Sequence, residues 1–136
     1  MTTRRTNAGD FVKLQKAIDP EDSAAATITG AAIDRTGFNS CVLHTAAGAA
    51  TGAPSAQTVD SKIQDSATSG GTFVDLAGAA IATITADDSD AEKDVDLSGA
   101  KAFIRVVTVV AFTGGTTPAI PVASTLALGG SEVEPV

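Results

Sequence analysis

The chain has no tryptophan and no tyrosine, and its aromatic residues are five phenylalanines, Phe11, Phe38, Phe73, Phe103 and Phe112. Aromatic side chains carry the largest apolar area per residue, so burial here has to come from Val, Ile, Leu and many Ala. A core of small side chains gains less per position, since each buried methylene is worth about 0.8 kcal/mol. A lone subunit is therefore expected to be modestly stable, with association supplying part of the missing burial. The same lack of Trp and Tyr counts against a carbohydrate-binding module, whose sites want aromatic platforms. Cys41 is the only cysteine, so no intramolecular disulfide is possible, and its apolar surroundings predict a buried, inert thiol. No run approaches the roughly 20 apolar residues of a membrane helix. The opening MTTRRTNAGDFVKLQ has no apolar signal-peptide core, which leads us to expect synthesis in a cytosol without export by a signal of its own.

The residues present favour strands. The 136 residues fit one domain. Phe38–Thr45 alternates, with Ser40, Val42 and His44 on one side and Cys41, Leu43 and Thr45 on the other. Gln57–Gln64 does the same, Val59, Ser61 and Ile63 facing one way. Ala24–Ile33, Thr72–Leu76, Ala79–Ala86 and Val122–Leu128 also read as strands. Ala102–Phe112 is β-branched and apolar on both faces, the mark of a central strand. Short strands with turn signals every 8–12 residues or so predict an all-β fold, an antiparallel β-sandwich or jelly-roll-like barrel. Residues 1–23 read as an N-terminal arm, 24–130 as the β-sandwich and 131–136 as a loose tail. In the arm, Phe11, Leu14 and Ile18 have helical spacing and Pro20 follows, so a short helix or an extended arm is expected.

Charge is unevenly placed along the chain. Residues 1–18 carry Arg4, Arg5, Lys13 and Lys16 against Asp10; the rest carries five basic and fifteen acidic residues, and the total is -7. An acidic body argues against nucleic acid, whose phosphates need cations. A basic arm on an acidic body can dock on a neighbour's acidic body. The run Asp87–Asp96 reads as an acidic, solvated loop. Asp88, Asp90 and Glu92 in it are oxygen ligands of the kind calcium takes, although the run lacks the central Gly and final Glu of a helix-loop-helix calcium site.

Chemistry is sparse. His44 is the only histidine. It shares a strand face with Ser40, but a Ser-His pair needs an orienting group and an oxyanion hole, and no nucleophile elbow is present. One Cys and one His cannot close a zinc site. Gly70-Gly71, Gly114-Gly115 and Gly129-Gly130 match no phosphate-binding fingerprint and read as turns. We expect no enzyme activity, no cofactor and no metal. A motif recurs three times: Ile33-Asp-Arg-Thr-Gly37, Val74-Asp-Leu-Ala-Gly78 and Val95-Asp-Leu-Ser-Gly99. An Asp can accept from a backbone amide two residues on and Gly tolerates positive φ, so these read as related turns at strand ends.

Five stretches carry a resemblance. They are Ala31-Ala-Ile-Asp-Arg-Thr-Gly-Phe-Asn-Ser-Cys-Val42, Gln57-Thr-Val-Asp-Ser-Lys-Ile-Gln-Asp-Ser66 and Val95-Asp-Leu-Ser-Gly-Ala-Lys-Ala-Phe-Ile-Arg-Val106, with Thr72-Phe-Val-Asp75 and Leu126-Ala-Leu-Gly-Gly130. Together they resemble small virion proteins of tailed bacteriophages, of the capsid decoration or cement type. The resemblance covers most of 31–130 and not the arm, and its motifs are turn and strand patterns. It implies a structural β-rich protein on the capsid surface of the virion, made in the host cytoplasm. Such a protein would bridge shell subunits and use an arm to reach a neighbour. Its partners would be the major capsid protein and copies of itself, as a homo-oligomer on the particle, without nucleic acid or membrane. A tail or head–tail connector protein is the alternative. On this reading Arg4, Arg5, Lys13 and Lys16 are candidate polar docking residues, and Phe11, Leu14 and Ile18 are candidate apolar anchors.

Overall fold

Strand alternation in the sequence becomes burial in the computed structural model, which describes residues 7–131. Along Phe38–Ala47, Cys41, Leu43, Thr45 and Ala47 are buried while Val42, His44 and Ala46 point outward. Along Ala56–Ser66, Val59, Ser61 and Ile63 are buried between more exposed neighbours. After a short 3-10 turn at Ala8–Asp10 come nine strands: β1 Lys13–Ser23, β2 Ala26–Thr29, β3 Ile33–Asp34, β4 Phe38–Ala47, β5 Ala56–Ser66, β6 Val74–Ala80, β7 Ser89–Asp96, β8 Phe103–Thr113 and β9 Ile120–Ser131. No α-helix occurs among the described residues, and so none that could cross a membrane.

The strands form two antiparallel sheets packed face to face. The first has the order β1-β9-β4-β7; the second has the order β2-β8-β5-β6, with the two-residue β3 also on β8. With β3 set aside this is the eight-stranded jelly-roll order, so the expected fold class holds. β8 lies inside its sheet, between β2 and β5, as its two apolar faces required. Between the sheets lies an aliphatic core led by Ile18, Leu43, Ile63, Leu97, Ile104, Ile120, Leu126 and Leu128. Phe38 and Phe112 pack only at its margin.

A chain of hydroxyls runs through that core. Ser124 on β9 and Thr45 on β4 are cross-strand partners 2.7 Å apart, and Ser61 on β5 and Thr108 on β8 are cross-strand partners at the same distance. Thr45 Oγ1 donates across the gap between the sheets to Ser61 Oγ at 2.9 Å. All four residues are at most 2% exposed. A buried hydroxyl without a partner costs about 1–3 kcal/mol; each of these has one.

Four sequence expectations change. The stretch taken as an arm is, from Lys13 on, a strand: β1 pairs with β9 and puts Ala17 and Ile18 in the core. Its register shifts between Lys16 and Ile18 and again between Ile18 and Glu21. These bulges break the period of two and imitate helical spacing. Pro20 falls in the second irregularity, on an edge strand, where a missing N–H is tolerated. The expected acidic loop 87–94 is largely β7, an edge strand whose outward face is charged while Val95 turns inward. The expected strands 72–76 and 79–86 are replaced by one strand, β6, which continues through Gly78 at φ 72° and ends at Ala80; of residues 81–86 only Ile84 bridges, to Val59. Strand β9 runs on through Gly129 and Gly130 to Ser131, and the remainder of the expected tail lies outside the described residues.

Two outcomes test this account. Thr45→Val removes a hydroxyl that serves two neighbours and should cost about 1–3 kcal/mol in chemical denaturation, more than Thr108→Val at the end of the chain. Ile18→Ala should cost about 2–5 kcal/mol in the same measurement; an unchanged midpoint would return Ile18 to a solvated arm.

Candidate functional site

The outer face of the first sheet is built in rows by its cross-strand register. One row reads Leu14, Ala127, Val42, Asp94 and the next reads Lys16, Thr125, His44, Glu92, in each case from β1 through β9 and β4 to β7. A shallow depression of about 630 Å³ follows the first of these rows, lined by Val12, Val42, Ala127 and Gly129 and rimmed by Asp94 and Asp96. Leu14 is 70% exposed, the most exposed large apolar side chain among the described residues. The face thus grades from the first part of β1, which presents Leu14 and Lys16, over small apolar residues, to an acidic edge at β7. On β7 the residues Asp90, Glu92, Asp94 and Asp96 all point to this face, successive ones about 7 Å apart.

The ends of β7 are fixed by carboxylates that do not belong to this ladder or lie at its last step. Asp87 Oδ1 accepts from the Gln57 side chain at 2.6 Å and the Ala50 N–H at 3.1 Å, and these bonds hold its pKa below the ordinary 3.8. Asp96 Oδ1 accepts from the Ser98 N–H at 2.9 Å, and its pKa is lowered by Ser98. Asp34 does the same with Thr36 at 2.9 Å. Two of the three recurrent Asp motifs are therefore the turns expected of them. In the third, Asp75 lies within β6 and accepts instead from Lys62 and Gln64, both at 2.9 Å. Gln64 in turn accepts from Arg105, whose guanidinium lies 4.3 Å from the centre of the Phe73 ring. That network on the second sheet, which sequence reading missed because its members are far apart in the chain, gives each of its charged groups a partner and ties β6, β5 and β8 together.

Of the residues proposed from sequence, Arg4 and Arg5 lie outside the described residues. Lys13, Leu14 and Lys16 stand together on the exposed first part of β1. Lys16 forms an exposed ion pair with Asp19 at 2.7 Å. Phe11 caps the 3-10 turn, partly buried. Ile18, 1% exposed, is a core residue and not a docking anchor. His44 is outward-facing and pairs with Asp90 at 2.8 Å. Ser40 lies two rows away, about 13 Å along the strand, so the two form no catalytic pair. Cys41 is buried, and burial pushes its thiol up to about 11, which leaves almost no thiolate at neutral pH.

For calcium, the arrangement is unfavourable. Asp90 and Glu92 extend from a strand in parallel and do not converge, and no group of three or more His, Cys, Asp or Glu side chains is placed to hold a metal among the described residues.

The lowered carboxylates set a pH dependence. A depressed folded pKa gives stability that is present above the ordinary carboxylate value and is lost as pH falls through the depressed one. In an NMR titration, Asp87 and Asp96 should each show a midpoint below 3.8. Gln57→Ala should return Asp87 toward that value and leave Asp96 unmoved. Equal movement of both would mean that a general field, and not the local bonds, lowers them.

No protein-family profile matches the chain, and no curated protein matches it. Among solved structures it is similar to the SPBc2 prophage-derived protein YomS, with a TM-score of 0.51 and 13% identity over 94% of this chain and 100% of that one. A subunit from a structure described as Bacillus endospore appendages, a novel family of disulfide-linked pili, aligns with a TM-score of 0.42 and 14% identity over 95% of this chain and 96% of the other. At 13% identity the likeness to YomS is one of fold, running the length of both chains; the likeness to the appendage subunit is too distant to carry that much.

Proposed function

We propose that this chain is a structural protein of a tailed-phage particle, a decoration or cement protein that sits on the capsid surface and bridges shell subunits. The observation that carries the reading is the full-length likeness of fold to a prophage-derived protein, in a chain whose turn and strand motifs already resemble small virion proteins. The surface fits the role. It offers a broad, graded sheet face where an enzyme would offer a closed cleft, and its one histidine is held by Asp90 away from any nucleophile. Its partners on this reading are the major capsid protein and copies of itself, without cofactor, metal, nucleic acid or membrane.

A cement protein works by number. A shell under internal pressure is strained at the joints between its subunits, and a small domain touching two of them resists their separation. Each contact is weak, and many act together once the copies are held on one lattice. The exposed Lys13, Leu14 and Lys16 on β1 are the docking residues that remain from the sequence, with Arg4 and Arg5 just upstream in the chain.

Copy number decides between this reading and a tail or head–tail connector component. Quantitative mass spectrometry of purified particles should find this chain at a ratio to the major shell protein near one to one, or one to a small integer. A few copies per particle would move it to the tail or connector, and absence from particles would remove the virion role.

A further inference from the structure

We propose that neighbouring copies of this chain join through their first sheets, the Lys13–Lys16 edge of β1 in one copy pairing antiparallel with the Glu92–Asp96 edge of β7 in the next. The inference stands on the geometry of the two edges and does not depend on the virion reading.

Among the described residues, β1 and β7 end the first sheet, each bonded on one side only. Their outward backbone groups need water or another strand. β7 pairs with β4 over eight consecutive positions without a register shift, so its free edge is regular and able to accept a strand. On β1 the regular part is Lys13–Lys16. Beyond it the strand bulges, and Gly30 comes so close that a side chain there would collide with the Ala17 carbonyl. At the other end of β7, residues 82–86 lie beside Ser89–Ala91. The open stretches are thus short, and they fall on the same rows: Lys16 lies on the row of Glu92, and Leu14 on the row of Asp94.

Strand direction and charge then select the partner. All pairings in the sheet are antiparallel and there are four strands, so β1 and β7 run in opposite directions. A second copy laid beside the first in the same orientation therefore brings an antiparallel edge. Pairing of β7 with another β7 would set the row Glu92, Asp94, Asp96 against itself, and like charges directly opposite are destabilising. Pairing of β1 with β1 would leave that acidic row without a partner of opposite sign. The head-to-tail arrangement sets Lys16 of one copy beside Glu92 of the next on the outer face. Lys16 leaves only an exposed pair with Asp19, worth little in water. The acidic ladder guards the edge against its own kind and leaves it open to the basic edge.

Such an interface is heterologous, so it builds rings if the rotation closes and chains if it does not. The test uses the full chain, by sedimentation and hydrogen exchange from dilute solution to on the order of millimolar, the range that tethering on a lattice provides. Growth beyond a dimer, with slowed exchange of the 92–96 amides, is the expected result. A species that stays monomeric throughout, or stops at a dimer, overturns the proposal. Two charge-reversed variants sharpen it: Glu92→Lys with Asp94→Lys, and Lys16→Glu. Each alone should associate roughly tenfold or more weakly, at an unchanged melting temperature, and an equimolar mixture should recover association. If either reversal unfolds the chain, Glu92→Gln with Asp94→Asn replaces it, with the loss expected and the recovery not. Association that survives both reversals places the contact elsewhere and overturns the edge pairing, while the copy-number measurement on particles stands independently.

Discussion

The hydroxyl chain from Ser124 through Thr45 and Ser61 to Thr108 is the constraint on which the surface depends. An aliphatic core built from Val, Ile, Leu and Ala does not define strand register by itself. A slip of one residue would exchange the faces and is forbidden by burial, but a slip of two preserves the alternation. Such a slip in β4 or β5 would leave buried hydroxyls opposite methyl groups, at the desolvation cost of each. The hydroxyls therefore fix how β4 sits against β9 and β5 against β8, and lock the two sheets to each other through a single bond. Every row on the outer face inherits that register, including the ones that bring Leu14 to the level of Asp94 and Lys16 to the level of Glu92.

The absence of large aromatics shapes the rest. With Phe38 and Phe112 only at the margin, the core closes on branched aliphatics. β1 supplies Ile18 to it and, through β9, completes the first sheet. The stretch that carries Lys13 and Lys16 is for that reason part of the domain. Its outward side chains are presented on a rigid strand, at fixed distance from the acidic edge, and a basic–acidic gradient across one sheet follows. The second sheet carries charge too, but there Lys62, Asp75, Gln64 and Arg105 are tied into one hydrogen-bonded network, while the first sheet keeps an acidic row along its β7 edge.

Cys41 is buried in the core and His44 is held by Asp90 on the outer face. Around them the outer face of the first sheet ends on one side at the exposed Leu14 and Lys16 of β1 and on the other at the acidic residues of β7.

The sequence by itself determined the fold class, the central place of Ala102–Phe112, the inward and outward faces of β4 and β5, and the turns at Asp34 and Asp96, because each of these follows from a period of two or from a contact two residues away. It also made the aliphatic character of the core plain, since that is composition. Only the tertiary structure decided that the basic segment is a strand, because two bulges disguise its period and its partner β9 lies more than a hundred residues away. It alone decided that the acidic run is an edge strand, since charges on a solvated face look the same in a loop. And it alone put the lysines of β1 and the carboxylates of β7 on opposite edges of one sheet, running in opposite directions, because that relation is set by the crossing of the chain between sheets and by nothing local.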